Sequence, residues 1–297
     1  MIYLLGSIVL TSYLTLAFKV CEKYRVNIFQ AIVFNYLTCV ITGSVVNGSF
    51  PINGEVMQTP WFRWACLMGV LFVSIFNVIG LTAQKISVAV ASVANKLSLI
   101  IPVVLSVYLY NETVAGWKLA GVILALLAVI LTCYQNKDQP GAEHGSRKKW
   151  AAYLLPLILF IGSGLLDALI NHVQQTYVTD ANYNAYLISG FSSAGVIGGT
   201  ILFIGYLRGK QVFAFRNVLA GVFIGIPNYF SIWCLVRFLK ESPWQSSASI
   251  PVNNMGIVLF SSIVAWLLFK EKLSKLNWAG IALSLLAIYL IAFGDTL

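Results

Sequence analysis

The sequence carries one internal repeat, NETVAGWKLAGVILALLAVILTC at residues 111–133 and KEKLSKLNWAGIALSLLAIYLIA at residues 270–292, offset by 159 positions. From Glu112 to Cys133, 8 of 22 positions match their counterparts, including the glutamate, an Ala-Gly pair and a Leu-Leu-Ala run. The same offset places Asn95 over Asn254. These matches predict that the chain is built from two copies of one unit.

Composition and hydropathy predict that the chain lies in a lipid bilayer. Of its 297 residues 59% are hydrophobic and 10% are charged, whereas soluble domains carry about 25% charged residues. The mean hydropathy is +0.84. A helix needs roughly 20 apolar residues to span the hydrocarbon. We predict an all-α integral membrane protein with ten transmembrane helices, at 2–18, 28–47, 62–83, 87–110, 116–134, 150–170, 184–206, 217–237, 244–269 and 277–294.

Each copy holds five predicted spans. Because five is odd, the two copies must insert with opposite orientations, an arrangement found in secondary transporters. The charges that flank the repeated motif agree, since the first copy contains Lys118 alone and the second contains Lys270, Lys272 and Lys275. We predict two inverted five-helix repeats, at 1–134 and 150–297, joined by a cytoplasmic linker at 135–149.

Basic residues predict the orientation in the membrane. Of the 19 Lys and Arg residues, fourteen follow odd-numbered spans, four follow even-numbered spans, and Lys96 lies within a span. Cytoplasmic loops carry the excess of Lys and Arg. We therefore expect a multi-pass protein of the plasma (inner) membrane with both termini on the outer side. The first span has no basic residue before it and KVCEKYR after it, which predicts an uncleaved helix.

The repeated runs YNETVAGWKLAGVILALLA (110–128) and FKEKLSKLNWAGIALSLLA (269–287) resemble the drug/metabolite transporter superfamily, in its ten-helix EamA-type branch. Small-residue stretches precede them, VAVASVANK (88–96) and SSASIPVNN (246–254). The resemblance implies inverted repeats around a central cavity and a secondary transporter that works by alternating access without ATP. We expect an exporter, and we expect the polar faces of spans 3, 4, 8 and 9 to line the cavity. Lys96 is not general in this branch. The Asn95-Lys96 pair is similar to one in nucleotide-sugar transporters, but their fuller motif is absent, so their substrate does not carry over.

Lys96 is the first candidate for a substrate site. It falls near the middle of span 4, where insertion of a lysine costs roughly 2.5–3.5 kcal/mol. We expect it to face the cavity and to meet an anionic substrate group or to titrate. The alternative is a lysine paired with another helix or facing trapped water. Asp167, the only acid within a predicted span, is a candidate partner of Lys96 or carrier of a coupling proton, unless it is simply hydrated.

Amides near the predicted midplane extend the candidate site. They lie on spans 3, 4, 8 and 9, which are counterparts in the two copies, and Pro227 and Pro251 would free carbonyl acceptors beside them. Hydrogen bonding between helices is the alternative for any one of them, worth about 0.6 kcal/mol on average. Two aromatic residues one helical turn apart could stack on a substrate or face lipid. The candidates are Asn77, Asn95, Asn228, Asn253, Asn254, Tyr229 and Trp233.

Other functions are disfavoured by what the sequence lacks. It has no HExxH, GxxxxGKS/T or GxSxG motif, and two histidines and five scattered cysteines predict neither a metal site nor a cofactor. We expect no enzyme and no nucleic-acid partner. A lipid or lipid-phosphate flippase on the same fold remains the alternative function. Glu112 and Glu271 are expected to fix helix turns rather than bind substrate. Glycine pairs with GxxxG spacing favour packing within a monomer but leave a dimer open.

Overall fold

In the computed structural model the described residues, 1–110, 116–133, 146–179, 181–241, 246–271 and 273–294, form helices and connecting loops, with no strand among them. The helices are α1 (Ile2–Lys23), α2 (Ile28–Asn47), α3 (Gly54–Met57), α4 (Phe62–Lys85), α5 (Val88–Leu97), α6 (Ile100–Tyr110), α7 (Trp117–Cys133), α8 (Ser146–Tyr177), α9 (Tyr183–Leu207), α10 (Phe215–Glu241), α11 (Ser246–Phe269) and α12 (Lys275–Phe293). The predicted all-helical class is confirmed for this part of the chain.

Apolar helices long enough to cross a bilayer dominate the structure. The described residues contain nine such segments, with α5 and the first part of α6 counted together as Val88–Leu105. α7 has 17 residues, which at about 1.5 Å per residue falls short of the roughly 30 Å hydrocarbon thickness. Large apolar side chains stay exposed, such as Leu268 at 70% and Val196 at 67%. These features are those of a multi-pass membrane protein, whereas the number of ten spans stays a prediction.

Several helices extend beyond the apolar runs that predicted them. α1 continues to Lys23, α8 runs from Ser146 to Tyr177, and α10 ends at Glu241. Glutamine, lysine and glutamate are good helix formers, so a helix continues through polar residues after its apolar run has ended. Hydropathy alone placed these ends too close to the membrane centre.

The span predicted as one helix at 87–110 is interrupted, so that prediction is wrong in the middle of the run. α5 ends at Leu97 and α6 begins at Ile100. Pro102 is the physical reason, because it has no amide proton to donate to the carbonyl of Ser98 and its ring crowds that carbonyl. The Ser98 carbonyl instead accepts from the amide of Ile101 at 2.9 Å, the tighter pattern of a 3₁₀ turn.

The chain divides into two compact units. The first comprises Met1–Lys19, Val78–Gly164 and Ser231–Leu297, and the second comprises Val20–Asn77 and Leu165–Phe230. Neither unit coincides with a predicted half, because each takes helices from both halves. The predicted repeats and the compact units are therefore different divisions of the chain.

In the first unit α7 and α12 pack antiparallel through their Ala-Gly pairs. A Cβ atom on Gly121 would lie 3.0 Å from the Ala287 carbonyl oxygen, so only glycine lets the two backbones approach this closely. The contacts pair Gly121 with Ala287 and Ile291, and Gly280 with Ala128 and Thr132. Adding 159 to the number of the α7 residue and subtracting 159 from the numbers of the α12 residues turns the first set of contacts into the second. This helix pair therefore has a local two-fold relation.

The second unit contains a similar pair, α2 and α9. Gly43 lies against Ile188, where a Cβ atom would come within 3.0 Å of Cγ1, and Gly198 lies against Val33, within 2.6 Å of Cγ2. The two helices are antiparallel, and a shift of 155 positions exchanges the two contacts. Spans 2 and 7, which these helices form, occupy corresponding places in the predicted halves.

Candidate functional site

Lys96 lies beside the interruption of span 4, in the last turn of α5. Every other residue of α5 is buried except Asn95, which like Lys96 is half-buried. The last carbonyls of a helix carry partial negative charge and stabilise a nearby cation by about 0.3–1 kcal/mol. That is less than the roughly 2.5–3.5 kcal/mol cost of a lysine at the bilayer centre. The rest of the cost has to be met by other contacts of Lys96.

The helix packed against α5 carries two buried amides. α11 contacts α5, and its Asn253 and Asn254 are only 2% and 9% exposed. Pro251 lies one turn earlier inside the same helix. Among the described residues, neither Oδ1 of Asn253 nor Oγ of Ser92 on α5 has a hydrogen-bond partner. Since an unsatisfied buried polar atom costs about 1–3 kcal/mol, these atoms are available to a ligand or to water.

Asn228 of the second unit belongs to a buried hydrogen-bonded group. Its Nδ2 donates to Oδ1 of Asn35 on α2 at 3.0 Å. The Cys39 thiol donates to the Gly225 carbonyl on α10 at 3.3 Å. Nδ2 of Asn35 is buried and has no acceptor in the described part of the chain. This group joins α2 to α10 next to Pro227, and it retains one unused donor.

Asn77 and Tyr229 also lie in the second unit. The Asn77 Nδ2 donates to the Val73 carbonyl of its own helix at 2.7 Å, so part of its polar capacity is used locally. Tyr229 is 3% exposed, and its ring covers Gly43, where a Cβ atom would lie 2.9 Å from Cε2. The absence of a side chain at Gly43 therefore makes room for the Tyr229 ring.

Trp233 and Asp167 have different surroundings. Trp233, in the first unit, is half-buried and packs edge-to-face on Tyr3 with ring centroids 5.6 Å apart. The Arg237 guanidinium lies 5.2 Å from the Trp233 ring centroid, a cation–π distance. Asp167 lies on α8 with an exposed side chain.

The predicted site residues thus fall into two groups. Asn95, Lys96, Asn253 and Asn254 share the packed pair α5 and α11 of the first unit, which also holds Trp233. The second unit holds Asn77, Asn228, Tyr229 and Asp167. Sequence reasoning missed Asn35, the partner of Asn228. The signal was present, since Asn35 is an amide inside the apolar run 28–47.

Comparison with known proteins supports the fold. No family model matches the chain. An uncharacterized protein of Haemophilus influenzae (strain ATCC 51907 / DSM 11121 / KW20 / Rd) is 27% identical over 283 residues, covering 93% of this chain and 92% of that protein. A protein of known crystal structure superposes with a TM-score of 0.62 at 14% identity, covering 98% of this chain and 96% of the other. This likeness concerns the fold alone.

Proposed function

We propose that this protein is a secondary transporter of the drug/metabolite transporter type, which moves a small metabolite across the membrane by alternating access. The observation that carries the proposal is the antiparallel packing of corresponding helices, α7 with α12 in one unit and α2 with α9 in the other. In a transporter built from inverted repeats, corresponding helices run in opposite directions, and those next to the pseudo-two-fold axis can pack antiparallel. The midplane site then becomes accessible to one side or the other as the repeats exchange conformations.

The substrate site that we propose centres on the interruption of span 4. Discontinuous helices bind charged solutes in many transporters, because their ends present unpaired backbone groups inside the membrane. Here the Lys96 ammonium and the start of α6 both favour a negative charge. The buried amides Asn253 and Asn254 on the adjacent α11 add hydrogen-bonding groups. These features favour a small metabolite with an anionic group and need no metal or cofactor.

A ligand screen followed by a transport assay tests this proposal. Purified protein is screened by thermal shift against amino acids, sugar phosphates, nucleosides and cationic dyes, and each ligand that stabilises it is offered to proteoliposomes. We expect saturable uptake without ATP that Lys96→Met strongly reduces. Lys85→Met removes a lysine that is exposed at the end of α4, and it should leave uptake unchanged.

Two results would contradict the proposal. Uptake that requires ATP would contradict the proposed mechanism. Uptake that Lys96→Met leaves unchanged would contradict the proposed site. Movement of a fluorescent phospholipid between leaflets, without uptake of any soluble compound, would support the flippase alternative.

A further inference from the structure

The loop between α11 and α12 caps the start of α5. Oε1 of Glu271 in this loop accepts from the amide of Val88, the first residue of α5, at 2.9 Å. The hydroxyl of Ser87 accepts from the Val90 amide at 3.0 Å. The first amides of a helix have no acceptor within the helix. One of them is thus satisfied by a residue 183 positions away in the chain.

Two further elements meet at this carboxylate. The Lys19 ammonium at the end of α1 donates to the Gln84 carbonyl at 2.9 Å, and the Gln84 side chain donates back to the Phe18 carbonyl at 2.9 Å. Lys19 also acts on Glu271 through its charge. Lys270 is the residue directly before Glu271 in the chain. Glu271 therefore connects the α11–α12 loop directly to the start of α5 and, through the charge of Lys19, to the place where α1 is bonded to the end of α4.

Glu271 carries a charge that its hydrogen bond to Val88 does not require. Oε2 is buried, and the Ala89 amide and the Ser87 side chain add weaker interactions with the carboxylate. A glutamine would accept from Val88 equally well without the cost of burying a carboxylate. The charge gains from the positive end of the α5 dipole and from Lys19. Burial works against this charge and outweighs both interactions, so the cap acts mainly through the hydrogen bond to Val88.

We propose that Glu271 is a positioning residue, which fixes the start of α5 and thereby sets where Asn95 and Lys96 lie at its other end. α5 has ten residues, so Lys96 is about 12 Å from the capped amide at about 1.5 Å per residue. A helix this short is only marginally stable by itself, so loss of the cap at one end should destabilise the helix along its whole length. The inference rests on the proposed role of Lys96. Glu112, the counterpart of Glu271, lies outside the described residues.

Hydrogen–deuterium exchange of the purified full-length protein tests this inference without any substrate. In Glu271→Ala we expect exchange at least ten-fold faster over the whole of 88–97, including the turn that carries Lys96. Glu271→Gln, which keeps the acceptor, should restore protection at Val88 and most of the protection at residues 94–97. Ser274→Ala removes the N-cap of α12 three residues later in the chain, and it should leave the exchange of 88–97 within two-fold of wild type.

The position of the exchange change decides the outcome. Faster exchange confined to residues 88–91 would reduce Glu271 to a local cap and overturn the inference, as would an equal effect of Ser274→Ala. With a substrate from the screen, Glu271→Ala should raise KM at least five-fold and change the maximal rate less than two-fold, because it misplaces Lys96 without removing it. An unchanged KM would also overturn the inference. A failed screen affects only the transport proposal, since the exchange experiment needs no ligand.

Discussion

Glu271 and Lys96 act on opposite ends of one short helix. The carboxylate lies at the first amide of α5 and the ammonium lies in its last turn. Both charges match the polarity of the helix ends. α5 is thus capped by a hydrogen bond to the Glu271 carboxylate at one end and carries its cation at the other. At the scale of single residues, this arrangement gives an intramembrane lysine a defined position.

Lys96→Met is the mutation that tests the ammonium. The change keeps much of the side-chain length, and we expect it to lower transport about 10- to 100-fold, because a hydrogen bond to a charged group is worth about 1.5–3 kcal/mol. Folding should be kept or improved, since a costly intramembrane charge disappears. The measurements are uptake into proteoliposomes and thermal unfolding in detergent. Poor expression that Asp167→Asn rescues would instead assign Lys96 to a structural ion pair, whose loss costs roughly 3–5 kcal/mol.

Glu271 gives the protein a pH-dependent stability. Burial raises the pKa of its carboxyl above the usual value, while the Val88 amide and the Lys19 ammonium lower it in part. The folded chain then holds this proton at pH values where the unfolded chain releases it. The corresponding stability is complete below the usual pKa and is lost as the pH rises through the raised pKa. Thermal unfolding from pH 4 to pH 8 should show Glu271→Gln losing less stability than wild type as the pH rises. Parallel pH profiles of the two proteins would contradict this assignment.

Among the helices, small residues determine which faces meet. In lipid an apolar face does not distinguish inside from outside, so hydropathy predicts that α2, α7, α9 and α12 are helices but not how they pack. Close packing instead requires glycine where two backbones touch, as at Gly121 and Gly280, or where a neighbouring side chain fills the space, as at Gly43 and Gly198. The repeated Ala-Gly pair was visible in the sequence. Its contact with the other copy of the repeat was not, because no local pattern records which helices are neighbours.

Replacing one of these glycines tests the packing of α7 on α12. In Gly121→Ala the new methyl group would meet Ile291 and the backbone of Ala287, and overpacking of this kind typically costs 1–3 kcal/mol. The two-fold relation predicts a similar loss for Gly280→Ala. Gly199→Ala is the matched control, because nothing lies within 4 Å of a Cβ atom there. It should be neutral or slightly stabilising. Thermal unfolding of the three variants in one detergent makes the comparison, and equal effects at Gly121 and Gly199 would contradict the packing.

The candidate site was only partly predictable at this scale. Amides at one predicted depth pointed to Asn228 and Asn254, because polar side chains in lipid must face protein or water. The α5–α6 interruption was missed, although Pro102 stood in the run, because a proline also occurs in helices that continue with a bend, as in α10 and α11. Whether the chain bends or stops depends on what satisfies the freed carbonyl, and here the Ile101 amide does so. A hydropathy pattern contains no information about that bond.

For the whole molecule, the number of spans determines on which side of the membrane the linker and the C-terminus lie. Nine segments in the described part of the chain are long enough to cross, and α7 is the shorter tenth. If α7 crosses the membrane, each half has five spans, as the inverted-repeat prediction requires. If α7 does not span, the linker and the C-terminus each move to the opposite side. The packing of α7 along α12, itself long enough to cross, favours the first arrangement.

Paired reporter fusions decide between the two arrangements. Green fluorescent protein is used as the cytoplasmic reporter and alkaline phosphatase as the outer one, each fused within the linker 135–149 and, separately, after the C-terminal residue. With ten spans and an outer N-terminus, the linker fusion should be fluorescent and the C-terminal fusion should have phosphatase activity. The physical reason is the excess of Lys and Arg after odd-numbered spans, which includes Arg147, Lys148 and Lys149 beside the linker fusion. The reversed pattern at both points would contradict this arrangement, because it results either from nine spans without α7 or from ten spans with the N-terminus inside. Reversal at the C-terminus alone would mean that an even number of spans follows the linker in place of the predicted five, and would refute the inverted repeat while leaving the first half intact.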